Sequence, residues 1–124
     1  MASILLVDDD EDLSEMLNDV LQMQGHAVTV ELTGQGALDQ MKAKTFDLVL
    51  LDWQLPDMPG LEVCRHYRES GATHGVLMLT GMRDQSSKDS CIQAGVDAIL
   101  TKPFTLDQLL PEVKRLLTGS SPTP

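Results

Sequence analysis

Asp8-Asp9-Asp10, Asp52, Thr80 and Lys102 are the side chains in this sequence whose types could work together chemically. Grouped carboxylates bind a hard divalent cation, and one of them can act as a nucleophile. A hydroxyl can donate to an anionic oxygen, and an ammonium offsets negative charge. Each residue also has a plainer use. Asp8 to Asp10 can cap a helix. Asp52 ahead of Pro56, and Thr80 ahead of Gly81, suit ordinary turns. Lys102-Pro103 can be a solvated loop. What joins them is position: each directly follows a short apolar run, so four runs deliver acid, acid, hydroxyl and base.

Those runs are Ile4-Leu5-Leu6-Val7, Leu48-Val49-Leu50-Leu51, Val76-Leu77-Met78-Leu79 and the shorter Ala98-Ile99-Leu100. A fifth, Val28-Thr29-Val30, alternates as an edge strand does and runs into Glu31-Leu32-Thr33 without a comparable group. The runs at Leu48 and Val76 are apolar on both faces, as central strands of a parallel sheet are. Segments of helical period separate them. Leu13, Met16, Leu17, Val20 and Leu21 repeat along one helix face, and Gly25 ends it. Thr33 is a candidate N-cap for a helix that turns Ala37, Leu38 and Met41 inward. Leu61, Val63, Cys64 and Tyr67 suit a third helix, and a fourth is expected from Gln85 to Ala94, closed by Gly95. Thr105-x-x-Gln108 reads as a capping box for a last helix burying Leu106, Leu109, Leu110, Val113 and Leu117. Pro111 should kink that helix or delay its start.

Five β-α units predict an α/β fold, a doubly wound five-stranded parallel sheet with right-handed crossovers and helices on both faces. Ligands bind such sheets beyond the carboxyl ends of the strands, where Asp8, Asp9, Asp52, Thr80 and Lys102 are expected to gather. At about 5 Å and an effective dielectric near 20, two carboxylates repel by roughly 3 kcal/mol. Helix capping alone does not account for such a cost in a domain stable by only about 5–15 kcal/mol. A bound cation and the Lys102 ammonium would relieve it. Oxygen-only donors suit Mg²⁺, whereas zinc is disfavoured because no Cys or His follows these strands. His26, His66 and His74 are expected on the surface, and Cys64 and Cys91 as buried apolar residues rather than a redox pair.

Composition narrows the classes. Nineteen acids against nine bases leave a net charge of −10, which argues against direct nucleic-acid binding. Aromatics at 3% leave few platforms for stacking single-stranded bases. No run is long enough to span a membrane. The start, Met1-Ala2-Ser3-Ile4, has no basic segment and meets acid at Asp8, so a cytoplasmic protein is expected. The closing stretch, 119–124, reads as a flexible tail or a linker to a further domain, leaving 1–118 as the folded unit.

The sequence resembles the receiver domain of two-component response regulators. The matching segments are Leu5-Leu6-Val7-Asp8-Asp9-Asp10, Leu51-Asp52-x-x-Leu55-Pro56-x-x-x-Gly60, Leu79-Thr80-Gly81, Ala94-Gly95-Val96-Asp97 and Thr101-Lys102-Pro103-Phe104, spread from Ile4 to about Leu117. The resemblance implies a flavodoxin-like strand order of 2-1-3-4-5. It further implies a switch that takes a phosphoryl group onto Asp52 from a histidine kinase, a histidine phosphotransfer protein or a small donor such as acetyl phosphate. Asp9 and Asp52 would bind Mg²⁺ directly (Mn²⁺ as a substitute), Asp8 through water and Gln54 through its backbone carbonyl. Lys102 would pair with Asp52 and then with the phosphoryl group, to which Thr80 would give its hydroxyl. The resemblance is also compatible with a fused or separate output domain and with a phosphorylation-dependent homodimer, between which the sequence does not choose. Beyond its own phosphorylation and dephosphorylation, no catalysis is expected.

Two positions depart from the family pattern. Ile99 stands where an aromatic residue is usual, and an aliphatic side chain cannot report its burial through a hydroxyl. Gly81 stands where Ala is common, which should loosen its loop. Gln54 and Met82 fall at the family's variable positions flanking the site, where they are expected to tune the lifetime of the acyl phosphate. Three other readings compete: a degenerate receiver acting only as a binding module, a haloacid-dehalogenase-like phosphatase, and a flavodoxin. The phosphatase expects a second Asp two residues after its nucleophile, where Asp52 has Gln54. Asp8-x-Asp10 fits it only superficially, because Glu11-Asp12 replaces the small hydroxyl residues that normally follow. The flavodoxin expects a Ser/Thr-rich phosphate loop after the first strand, which is missing.

Overall fold

The computed structural model describes residues 2–82 and 84–118, so the expected tail or linker at 119–124 lies outside the described residues. Among these residues five strands alternate with five helices. They are β1 (Ser3–Val7), α1 (Glu11–Met23), β2 (Ala27–Glu31), α2 (Gly34–Ala43), β3 (Leu48–Asp52), α3 (Gly60–Glu69), β4 (Gly75–Thr80), α4 (Gln85–Gln93), β5 (Ala98–Thr101) and α5 (Leu106–Thr118). The strands form one parallel sheet in the order β2-β1-β3-β4-β5.

Alternation along each strand splits the core into two layers. Ile4, Leu6, Leu48, Leu50, Leu77 and Leu79 face α1 and α5, where Leu17, Leu21, Leu109 and Val113 meet them. Leu5, Val7, Val49, Leu51, Val76 and Met78 face α2, α3 and α4. The central strands β1, β3 and β4 are almost wholly buried, whereas every residue of β5 and most of β2 are only half-buried. This gradient explains why the central runs read as continuous apolar stretches and β2 as an alternating one.

Several local expectations hold. The Thr33 hydroxyl accepts from the Gly36 N–H at 3.0 Å, and the Gly95 backbone is left-handed at φ 96°. The Thr105 N–H donates to the Gln108 side chain at 2.9 Å, and the Gln108 N–H returns a bond to the Thr105 hydroxyl at 3.3 Å. This is a closed capping box. Others need correction. Met16 and Leu106, expected inward, are 41% and 36% exposed. They line a hollow together with Leu13, Lys102 and Phe104. The buried inner face of α1 is Ser14, Leu17 and Leu21. Nor does Pro111 delay α5, which starts at Leu106 and is helical through it. His66 and His74 are exposed as expected, but His26 is half-buried, and its Nδ1 accepts from the Ala2 N–H at 3.3 Å.

Candidate functional site

The parallel register brings the four strand ends to one edge. Asp52 is the last residue of β3 and pairs with Leu79. Thr80 pairs with Thr101, and the Lys102 N–H donates to the Thr80 carbonyl at 2.7 Å. Asp8 follows β1 directly, with its N–H on the Glu31 carbonyl at 3.1 Å. Strand ladders therefore fix the height of each residue before any side chain is considered. A close backbone approach sets the floor. The Gly60 N–H donates to the Trp53 carbonyl at 2.7 Å, and a Cβ on Gly60 would collide with the Asp52 carbonyl. Only glycine lets α3 start so near the end of β3.

The three acids of the Asp8-Asp9-Asp10 run have separate tasks. Asp8 is fully buried. One of its carboxylate oxygens accepts from the Asp10 N–H at 2.9 Å and the other from Lys102 Nζ at 3.0 Å. Asp10 turns away and caps α1, accepting from the Leu13 N–H at 3.1 Å. Asp9 is exposed and lines a cleft of about 700 Å³ together with Asp52, Gln54, Gly81, Met82 and Lys102. Carboxylate oxygens of Asp8, Asp9 and Asp52 all lie within 4.8 Å of one another. Lys102 also reaches Asp52 Oδ1 at 3.3 Å, so its ammonium bridges the two acids and lies nearer Asp8. A slightly larger hollow of about 730 Å³ lies between α1 and α5, but it has no acid cluster.

The electrostatics follow from this crowding. Burial, and then the Asp8 charge, push the Asp52 carboxyl above its ordinary value; Lys102 and the Gln54 N–H pull against them without reversing the shift. For Lys102, burial pulls the ammonium down. The hydrogen bond and charge of Asp8, joined by Asp52, outweigh that and leave it raised. Among the described residues a single ammonium faces three clustered carboxylates, which leaves negative charge uncompensated by them. All the donors are oxygens, so a hard cation of the Mg²⁺ type fits the set better than a thiophilic one.

Asp8, Asp9, Asp52, Gln54 and Lys102 thus come together as the sequence suggests. Thr80 stands slightly apart, as it does not line the cleft. It is 2% exposed, and its hydroxyl accepts from the Met82 N–H at 2.9 Å, bracing the loop after β4. Ile99 is half-buried and packs against the core layer beneath α2, α3 and α4. Sequence reasoning missed two supports. The Ser14 hydroxyl donates to the Asp8 carbonyl at 2.9 Å. Asp57, in the loop after β3, accepts from the Gly34 and Gln35 N–H groups at 2.8 and 2.9 Å, which holds its carboxyl below the usual range. Asp57 thereby pins the loop carrying Gln54 to the start of α2. The sequence signal was slight, an Asp after Pro56 that reads as a turn residue.

The model of the response regulator receiver domain family matches residues 4–114. This chain belongs to that family. Among curated receiver-containing relatives, "Response regulator MprA" of Mycolicibacterium vanbaalenii is 38% identical over 119 residues, 96% of this chain and 52% of the relative. "Response regulator ArlR" of Staphylococcus saprophyticus is 32% identical over 94% of this chain and 53% of its own length. The chain therefore spans about half the length of these curated relatives. Solved receiver-like structures superpose closely. The BeF3-activated DrrB receiver domain has a TM-score of 0.87 at 37% identity, covering 95% of this chain and 98% of that one. Vibrio cholerae chemotaxis protein CheY4 has 0.89 at 30%, covering 94% and 98%. The receiver fold, with its 2-1-3-4-5 sheet, is that of this chain.

Proposed function

We propose that this receiver domain is a phosphorylation-dependent switch that accepts a phosphoryl group on Asp52 from a phosphohistidine of a kinase or phosphotransfer protein. The observation carrying the reading is the bridge made by Lys102 between buried Asp8 and Asp52, beside Asp9, at the mouth of an open cleft. An Asp52 carboxylate oxygen attacks phosphorus, the P–N bond to the donor histidine breaks, and the imidazole nitrogen keeps the electron pair. Asp8, Asp9, Asp52 and the Gln54 carbonyl would hold Mg²⁺, or Mn²⁺ in its place. Bound there, the ion would neutralise charge developing on the transferring oxygens. Lys102 holds the acceptor in place beforehand and pairs with the phosphoryl group afterwards.

Thr80 converts the new charge into a change of surface. Turning its hydroxyl toward a phosphoryl oxygen costs the bond from the Met82 N–H and draws Gly81 and Met82 inward. Among the described residues nothing lies within 4 Å of where a Gly81 Cβ would be, so Gly81 has room to move. Met82 and Gln54 flank Asp52 at the cleft and would set the access of a hydrolytic water. The strongly acidic surface fits protein partners, a kinase or phosphotransfer protein, an output domain or a second copy, rather than DNA. The domain acts in the cytoplasm and releases no small-molecule product beyond its own phosphate.

The test is mass measurement after treatment with acetyl phosphate and Mg²⁺. One phosphate should be gained by the wild-type chain and none by Asp52→Asn. A gain persisting in Asp52→Asn would remove the assignment, and no gain by the wild type would favour a degenerate receiver.

A further inference from the structure

On the side of the sheet covered by α2 and α3, well separated in sequence from the acid cluster, Tyr67 occupies an unusual position. It is 5% exposed, and its hydroxyl is buried without a hydrogen-bond partner among the described residues. Burial pushes the phenol above its ordinary value; the Arg68 charge pulls against it and Asp47 adds a smaller push. An orphaned buried donor is unfavourable and calls for a reason. The surroundings supply one. Tyr67, Met41 and Ser70 line two adjoining cavities, one of about 490 Å³ and one of about 380 Å³, within the range of small-molecule sites.

The larger cavity has an apolar floor of Leu38, Met41 and Met58. Its rim, with that of its neighbour, reverses the charge balance of the molecule. Lys42 and Lys44 line the pair with His66 and His74, and Glu62 is the single acid among the described lining residues. Across the whole chain, acids outnumber bases 19 to 9. Asp47, the acid that acts on Tyr67, is engaged by the Ser3 N–H at 2.7 Å.

We propose that the hollow between α2 and α3 is a second binding site, for a small amphiphilic carboxylate. The tail lies on Leu38, Met41 and Met58, and the carboxylate takes the Tyr67 hydroxyl proton as a hydrogen bond with Lys42 or Lys44 beside it. Met41, unbranched, lines both cavities beside Tyr67, and its swing would open the hydroxyl to the ligand. Met58 would carry the effect onward: it packs over Gly34, in the same loop as Asp57 and Gln54.

The probe is octanoate, titrated into the full chain below its micelle concentration and followed by amide and methyl NMR shifts, with neutral 1-octanol as the comparison. Saturable one-site shifts at Leu38, Met41 and Tyr67 are expected, with octanol at least about fivefold weaker. Tyr67→Phe should weaken octanoate by about fivefold. Leu38→Trp, which fills the floor, should abolish binding, and it keeps the test open should Tyr67→Phe fold poorly. No saturation, equal affinity for octanol, or an undisturbed affinity in the variant that folds would overturn the proposal. The readout does not pass through Asp52, so the phosphorylation assignment stands or falls separately.

Discussion

At the scale of single residues, Asp52 holds a carboxylate where burial and Asp8 both disfavour charge. Its folded-state value is raised, so the folded chain binds the proton more tightly than the unfolded one. The stabilising contribution is complete below the ordinary carboxyl value of 3.8 and is lost as pH rises through the higher folded value. The attraction to Lys102 is already part of that balance and is not counted again. Near neutrality, the metal-free Asp52→Asn protein should therefore be more stable than wild type, by on the order of 1 kcal/mol. Thermal melts across pH should show the advantage shrinking in acid; an advantage that grew there would reverse the sign assigned to Asp52. The sequence made the acid run conspicuous but not its division of labour. Asp8, Asp9 and Asp10 are alike as letters, and only the end of β1 and the first turn of α1 decide which is buried, which faces the cleft and which caps.

At the scale of elements, most helices were legible because apolar period and capping are local signals. The bonds of Thr33 and of the Thr105–Gln108 box lie within one turn and could be read directly. The contact of Asp57 with α2 spans 23 positions to Gly34, and no local pattern encodes it. Met16 and Leu106 misled for a related reason: period identifies a helix face but not how far the sheet extends beneath it. Pro111 is the clearest local conflict. It has no N–H for the Asp107 carbonyl, although it lies on the exposed face of α5. Pro111→Ala should restore that bond and relieve the ring's crowding, raising stability by about 1–2 kcal/mol after the greater freedom of the unfolded chain is allowed for. Urea unfolding should show a higher midpoint at unchanged slope. A lower midpoint would mean that Pro111 stabilises chiefly by restricting the unfolded chain.

At the scale of the whole molecule, the pattern of apolar runs predicts a parallel sheet with helices on both faces but does not order its strands. That order came from the resemblance to receivers, because alternation shows which strands are central without naming their neighbours. Charge is also a property of the whole: a chain at −10 concentrates three acids at one strand edge, where strand pairing leaves them no freedom to spread. A cation binding only to that folded edge must stabilise the fold by mass action, by about 2.7 kcal/mol at a hundred times its dissociation constant. The melting temperature should thus climb with Mg²⁺ well beyond the effect of NaCl at equal ionic strength, and the climb should flatten in Asp9→Asn. Trp53 lines the same cleft, and the midpoint of its fluorescence titration should give the same dissociation constant as the thermal shift. Should Mg²⁺ and matched NaCl raise the melt equally, the cation would be screening general repulsion. The three carboxylates would then be no more than neighbours.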